Sequence, residues 1–139
     1  MTSPPLTNRE YAYFHVTGPG RHEIITEKLG ISASESWAEG DPRPRGGTYQ
    51  FMRWCLSSGL DDKEPLDQHI EALLAILTTR SQVLRELSAD YSLTIQCVGY
   101  YPPSGHGAHL SRDVVRTASQ LCLAFDFDFY YVDDYGHDG

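Results

Sequence analysis

Hydrophobic and polar residues alternate in four stretches of the chain, which is the pattern of β-strands with one buried face. These stretches are residues 11–17, 48–58, 92–101 and 123–132. Each ends near glycine, proline or serine residues, which favour turns. The pattern therefore predicts four strands.

Alternation also divides the side chains of each predicted strand between two faces. The apolar face is predicted to carry Ala12, Phe14, Val16, Met52, Trp54, Leu56, Leu93, Ile95, Cys97, Phe125, Phe127 and Phe129. The opposite face is predicted to carry Tyr11, Tyr13, His15, Tyr49, Phe51, Arg53, Gln96, Val98, Tyr100, Asp126, Asp128 and Tyr130. We assign the first face to the core. The second is aromatic with a few charges.

Apolar residues at helical spacing predict three helices between the strands. Residues 21–29 form the first, which ends at Gly30. The strongest signal starts at Pro65 and predicts a helix of about 25 residues. Ser111 is the predicted N-cap of the last helix. Its inward side chains are predicted to be Val114, Val115, Ala118 and Leu121 or Cys122.

The order of these elements predicts an α+β fold. We expect a two-layer sandwich of about four mostly antiparallel strands, with the helices packed on one face. The 139 residues fit a single domain with a core over about residues 11–132. Residues 1–9 and the acidic tail 133–139 are predicted to be frayed. Residues 32–47 hold many glycines and prolines and are predicted to be irregular.

Charge narrows the classes of partner. The chain has 19 Asp and Glu against 11 Lys and Arg, a net charge of -8. An acidic surface repels phosphate backbones and anionic lipids, so we expect neither nucleic acid nor membrane as a partner. We find no signal peptide and no membrane-spanning stretch, and expect a cytoplasmic protein. Residues 117–139 contain five aspartates and no Lys or Arg, which places much of the acidity in the last strand and tail.

Two polar pairs suggest chemistry without carrying a motif. Asp126 and Asp128 lie two residues apart on one strand face, a spacing that would permit a shared metal or an acid/base pair. We favour a solvated charge pair or an ion pair with Arg53. His106 and His109 have no third metal ligand nearby in sequence. We therefore predict no metal site.

The three cysteines also lack a recognisable motif. Cys55, Cys97 and Cys122 are too few and too widely spaced for a disulfide framework, and none sits in a nucleophile motif. We interpret all three as reduced, buried residues. The sequence predicts neither catalytic residues nor a cofactor.

The aromatic face is the strongest candidate for function, because Tyr and Arg are enriched at the energetic centres of protein interfaces. Strand propensity alone also favours tyrosine, so a purely structural role stays open. The loop at residues 40–47 is locally basic and could bind an anion or form ion pairs with the acidic last strand. The predicted binding residues are Tyr11, Tyr13, His15, Tyr49, Arg53, Tyr100, Asp126, Asp128 and Tyr130, with Asp41, Arg43 and Arg45 of the loop.

Several segments, taken in order and spacing, carry a family resemblance. They are Leu29-Gly30-Ile31, Gly40-Asp41-Pro42-Arg43-Pro44, Trp54, residues 66–77 and residues 125–130. Together they resemble the small bacterial domains of unknown function numbered 4279, over roughly residues 11–131. The resemblance implies a bacterial or phage-borne protein and no mechanism. By analogy, small acidic α+β domains of this kind often act by binding, for example as immunity or inhibitor proteins.

Three hypotheses follow. The leading one is a non-enzymatic domain that uses the aromatic and acidic sheet face, together with the loop from Asp41 to Arg45, to bind a basic protein partner. The second is a small-molecule binder or weak hydrolase with Asp126, Asp128, His15 and Arg53 around a concave pocket, which a flat face would exclude. The third is a homodimer whose two sheet faces pack together.

Overall fold

The computed structural model describes residues 8–103 and 107–132. Its strands are β1 (Arg9–Gly18), β2 (Glu35–Trp37), β3 (Met52–Ser57), β4 (Ser92–Tyr101) and β5 (Ala124–Tyr131). Its helices are α1 (Glu23–Leu29), α2 (Leu66–Leu77), α3 (Ser81–Leu87) and α4 (Arg112–Gln120). Arg9, predicted to be frayed, begins β1, where it pairs with Tyr100 of β4, and its side chain forms an ion pair with Asp62 at 2.8 Å. The tail 133–139 and residues 1–7 lie outside the described residues.

The five strands form one sheet in the order β2-β3-β1-β4-β5. The β2–β3, β3–β1 and β1–β4 pairings are antiparallel, and β4–β5 is parallel. A parallel neighbour needs a crossover connection, which α4 supplies between β4 and β5. The predicted α+β fold with a mostly antiparallel sheet is confirmed, with one more strand than expected.

The four helices pack on one face of the sheet, where a hydrophobic cluster joins the two layers. Trp54 is fully buried there, and its ring meets Phe14 edge to face with the centroids 6.0 Å apart. The indole N–H of Trp54 donates to Thr26 Oγ1 at 2.9 Å, which attaches α1 to the sheet. Burying a side chain such as Phe14 stabilises the fold by about 1.5–3 kcal/mol. The predicted core face is therefore correct at its centre.

The long helix predicted from Pro65 is interrupted after Leu77 by a 3₁₀ turn, and α3 follows as a separate helix. Thr78 Oγ1 donates to Leu74 O at 2.5 Å, and Thr79 Oγ1 donates to Ile76 O at 2.7 Å. Threonine hydroxyls compete in this way with the backbone bonds of a helix. Arg80 Nε then donates to Leu29 O at 2.7 Å, which fixes the turn against the end of α1.

Helix α4 begins as predicted, because Ser111 Oγ accepts the backbone N–H of Val114 at 3.2 Å. Two inward assignments are wrong, since Val115 is 51% exposed and Cys122 is also exposed. The inward side chains are Val114, Ala118 and Leu121. Val115 is one helical step away from this stripe, and the chain has left the helix at Cys122, which has a φ of 61°.

Two features of the first half differ from the predicted strands. β2 lies inside the segment predicted to be irregular, and its three residues are too few to show an alternating pattern. β3 starts at Met52, so Tyr49 and Phe51 precede it instead of lying on it. The turn before β3 is closed by a bond from Tyr49 N to Asp41 O at 2.9 Å, and residues 46 and 47 provide the positive φ that the turn requires.

Gly99 in β4 permits the close approach of a buried aromatic ring. The ring of Tyr101 folds across Gly99, and a Cβ at residue 99 would overlap the ring atoms. Tyr101 cannot easily move away, because its hydroxyl is 3.1 Å from Glu10 Oε2 and its ring packs against Phe129 at 5.4 Å. Residue 99 is therefore restricted to glycine by packing.

We predict that Gly99→Ala lowers the free energy of unfolding by about 1–3 kcal/mol, the range for an overpacked core. Urea denaturation would measure the change. Gly107→Ala is the matched control, since a Cβ there meets no atom within 4 Å. It should change stability by less than about 0.5 kcal/mol. Equal stability of the two variants would contradict the packing argument.

Candidate functional site

The sheet face opposite the helices carries most of the predicted binding residues. Strand register places Tyr13 opposite Gln96, and Gln96 opposite Asp126, so these three side chains lie in one row across the sheet. We call this surface the open face. It consists of Tyr11, Tyr13, His15, Trp37, Arg53, Cys55, Gln96, Val98, Tyr100, Asp126, Asp128 and Tyr130.

Five side chains stack in a line from the centre of the open face to the loop before β3. They are Tyr13, Arg53, Trp37, Tyr49 and Arg43, and we call them the arginine–aromatic ladder. The guanidinium carbon of Arg53 lies 5.4 Å from the ring centroids of both Tyr13 and Trp37. The rings of Trp37 and Tyr49 stack at 4.1 Å, and Arg43 lies 5.6 Å over Tyr49. The ladder brings Tyr49 next to the open face although it is not on a strand.

Hydrogen bonds hold Arg53 in this ladder. One of its terminal nitrogens donates to Tyr13 OH at 2.9 Å, and its Nε donates to Cys55 Sγ at 3.1 Å. The predicted ion pair from Arg53 to Asp126 or Asp128 is not formed. Asp128 instead accepts a hydrogen bond from Gln96 Nε2 at 2.9 Å. Within residues 8–103 and 107–132, no Lys or Arg forms an ion pair with either aspartate.

The open face is concave at one place. His15, Arg53, Asp126 and Asp128 border a depression of about 510 Å³, whose rim also includes Phe51. The four residues of the small-molecule hypothesis therefore line one shallow depression, with Arg53 and the two aspartates on strands that β1 and β4 separate. Phe51 is 48% exposed at this rim, so it joins the depression without being part of β3.

The imidazole of His15 is the titratable group most affected by this arrangement. Burial lowers its pKa, the nearby Arg53 guanidinium lowers it further, and Asp126 partly opposes both effects. Its Nδ1 atom is buried and has no hydrogen-bond partner among the described residues. The lowered pKa therefore favours the neutral imidazole in the folded protein.

We predict that Arg53→Gln raises the pKa of His15 and that Asp126→Asn lowers it, as followed by NMR titration of the imidazole. The unfolded chain titrates near 6.5. Because the folded pKa is lower, the unfolded state binds more protons, and stability should fall as the pH drops from about 6.5 through the folded pKa. His15→Gln should remove this slope. A His15 pKa at or above 6.5 would contradict the description of the site.

A second group of aromatic residues lies toward the other end of the open face. Tyr100 and Tyr130 stack at 5.0 Å, with the Arg9 guanidinium 5.1 Å over Tyr100. Tyr11 stacks on Tyr13 at 6.4 Å and extends the row. These contacts restrict the rings, so less side-chain entropy would be lost when a partner binds than for isolated side chains.

The three loop residues predicted to bind have different places. Asp41 Oδ2 accepts the backbone N–H of Ala38 at 2.8 Å, so its carboxylate shapes the loop. Arg43 ends the arginine–aromatic ladder, and Arg45 is exposed. Among the described residues, no ion pair joins this loop to β5.

The three cysteines differ in their burial. Cys55 and Cys97 are buried, whereas Cys122 is exposed, so the interpretation of all three as buried is wrong for Cys122. Burial raises the pKa of Cys97 to about 12, which leaves almost no thiolate at neutral pH. The described residues contain no group of three or more His, Cys, Asp or Glu that could hold a metal ion. His106 of the suggested histidine pair lies outside them.

Sequence reasoning missed a buried polar pair. Ser58 Oγ and His69 Nδ1 are 2.5 Å apart, and Ser58 borders a second depression of about 520 Å³ beside Tyr11 and Tyr13. A serine next to a histidine could suggest a nucleophile and its base. However, His69 Nε2 has no partner in the described part of the chain, so no third group orients the imidazole. The pair links the end of β3 to α2.

Sequence reasoning also missed Trp37, which stands in a stretch rich in serine and glycine. The residue type itself could have identified Trp37, because a bulky aromatic side chain in a polar stretch needs a surface to pack against. Its indole N–H donates to Phe51 O at 3.2 Å, and its ring lies between Arg53 and Tyr49. Trp37 is thus the connection between the sheet and the loop.

Fold and surface together define a class: an acidic α+β sandwich with helices on one side and an aromatic, acidic sheet face on the other. The chain matches the family model of the domain of unknown function DUF4279 over residues 8–132, and it belongs to that family. Comparisons with the curated proteins and with the solved structures found no match. No helix of the described residues is long and apolar enough to cross a membrane.

Proposed function

We propose that the protein is a non-enzymatic binding domain whose open face engages a basic surface of a protein partner. The observation that carries the proposal is the state of Asp126 and Asp128. Both are exposed on β5, and neither has a Lys or Arg partner among the described residues. A basic partner would supply that missing charge, and complementary charge favours fast and selective association.

The aromatic residues beside these carboxylates support the same proposal. Tyrosine and arginine contribute strongly to protein interfaces, and they do so most when their conformations are already fixed. The arginine–aromatic ladder and the stacked Tyr100 and Tyr130 supply such fixed groups. We infer that the protein is bacterial and cytoplasmic. We also infer that it acts like an immunity or inhibitor protein, by occupying the basic surface of a toxin or enzyme.

We predict that the double variant Asp126→Asn, Asp128→Asn loses the partner. The protein would be immobilised and bacterial cytosol passed over it, with captured proteins quantified by mass spectrometry. A basic protein should be retained by the wild type and reduced by about 2- to 30-fold on the variant, as expected for two lost charge pairs.

The matched control is Glu27→Gln, Glu71→Gln, which removes the same charge from exposed positions of α1 and α2. It should retain the partner, and urea denaturation should show that all three proteins are folded. If the aspartate variant retains every protein that the wild type retains, the proposal is wrong.

One observation favours a second function, that of a small-molecule binder or weak hydrolase. The depression of about 510 Å³ has Arg53 on one side and Asp126 and Asp128 on the other. Its volume is in the range of ligand sites. Such a lining suits a small molecule that carries both an anionic and a cationic group.

We predict, for this second function, that a panel of zwitterionic amino acids includes one that shifts the NMR signals of His15. The shift should disappear in Arg53→Gln, because the anionic end of the ligand loses its partner. Glu27→Gln should leave the shift unchanged, since Glu27 is on α1. No shift across the panel at millimolar concentration would remove this second candidate.

A further inference from the structure

We propose that β5 binds its partner by strand addition, taking up an extended segment in which basic and apolar residues alternate. The proposal rests on the proposed function, because it assumes a basic protein partner, and it specifies how that partner is held. Strand addition uses the backbone of an exposed sheet edge for affinity and alternate side chains for specificity.

β5 is an edge strand of the sheet that the described residues form. It is last in the sheet order, and its residues 124–131 pair with residues 94–101 of β4 on one side. Apart from β4, no strand or side chain of the described residues forms a hydrogen bond with the backbone of residues 124–130. An edge of this length presents a row of unpaired N–H and C=O groups.

The side chains of β5 determine which segment fits. Asp126 and Asp128 point to the open face, and the phenylalanines at 125, 127 and 129 point to the helical side. Phe127 is 41% exposed at this edge. Because directly opposed residues on neighbouring strands share a face, an added strand would place one set of its side chains against the carboxylates. Lys or Arg suits that set, and an apolar residue suits the other.

In one antiparallel register, a second copy of this chain fits the same edge poorly. If two β5 strands paired antiparallel around Phe127, Asp126 of each copy would lie opposite Asp128 of the other. Four carboxylates would then meet, and like charges directly opposite each other destabilise a sheet. In the register centred on Phe127, charge complementarity therefore favours a basic segment over self-pairing.

The probe is a fluorescein-labelled peptide of alternating lysine and valine, about nine residues long to match β5. Fluorescence anisotropy with the full chain should show saturable binding that weakens as salt is raised. Asp126→Asn, Asp128→Asn should weaken binding by roughly 2- to 30-fold, the range for two lost cross-strand ion pairs. Glu27→Gln, Glu71→Gln should bind like the wild type.

Two peptide controls separate strand addition from simple charge attraction. A peptide of the same composition with its lysines in one block should bind more weakly, because only alternation matches the strand. Two further peptides carry backbone N-methyl groups, one at every lysine and the other at every valine. Each of them loses the N–H donors along one edge of the added strand. One of the two should lose binding, and hydrogen exchange at residues 124–130 should slow only with a peptide that binds.

Equal binding of the alternating and block peptides, or of both methylated peptides and the parent, would overturn strand addition. A wild-type dimer that protects the amides of residues 124–130 would also overturn it. If the alternating peptide fails to bind while the capture experiment succeeds, this inference is wrong and the proposed function stands. If the aspartate variant still captures every partner, the proposed function itself fails.

Discussion

The helices cover only one side of the sheet, and the positions of both the core and the open face depend on this constraint. Successive residues of a strand point to opposite faces, so burying Phe14 beneath the helices directs Tyr13 to the open face. The same holds in β3, where Trp54 is in the core and its neighbour Arg53 is in the arginine–aromatic ladder. A shift in register by one residue would exchange the two faces. The core and the open face are therefore fixed by the same pairing.

Sheet order explains why the expected ion pair between Arg53 and the aspartates is absent. β1 and β4 lie between β3 and β5, and three strand spacings amount to roughly 14 Å. An arginine side chain cannot span that distance to a carboxylate. Arg53 therefore binds Tyr13 on the adjacent strand, and the aspartates keep their charge available.

Local signals predicted most of the elements correctly. Continuous alternation identified β4 with its observed bounds, and a single hydroxyl identified the start of α4 at Ser111. The errors occurred where the local structure depends on contacts with residues that are distant in the sequence. β2 is a strand only because β3 pairs with it, and the ladder joins Tyr13, Trp37 and Tyr49 from three separate segments. Alternation assigns residues to a face but says nothing about strand order, so it could not predict which charges would meet.

The acidity of β5 has two physical consequences at the same edge. Unprotected edge strands tend to pair with each other, and proteins commonly prevent this with charged side chains. Asp126 and Asp128 would act in this way here, because a second β5 paired around Phe127 would bring like charges together. If the partner binds by strand addition as proposed, the same two carboxylates attract an incoming strand of opposite charge, and the neighbouring phenylalanines fix its alternation. Protection against self-association and selection of a basic partner are then one property of this strand, and substituting the aspartates would weaken both at once.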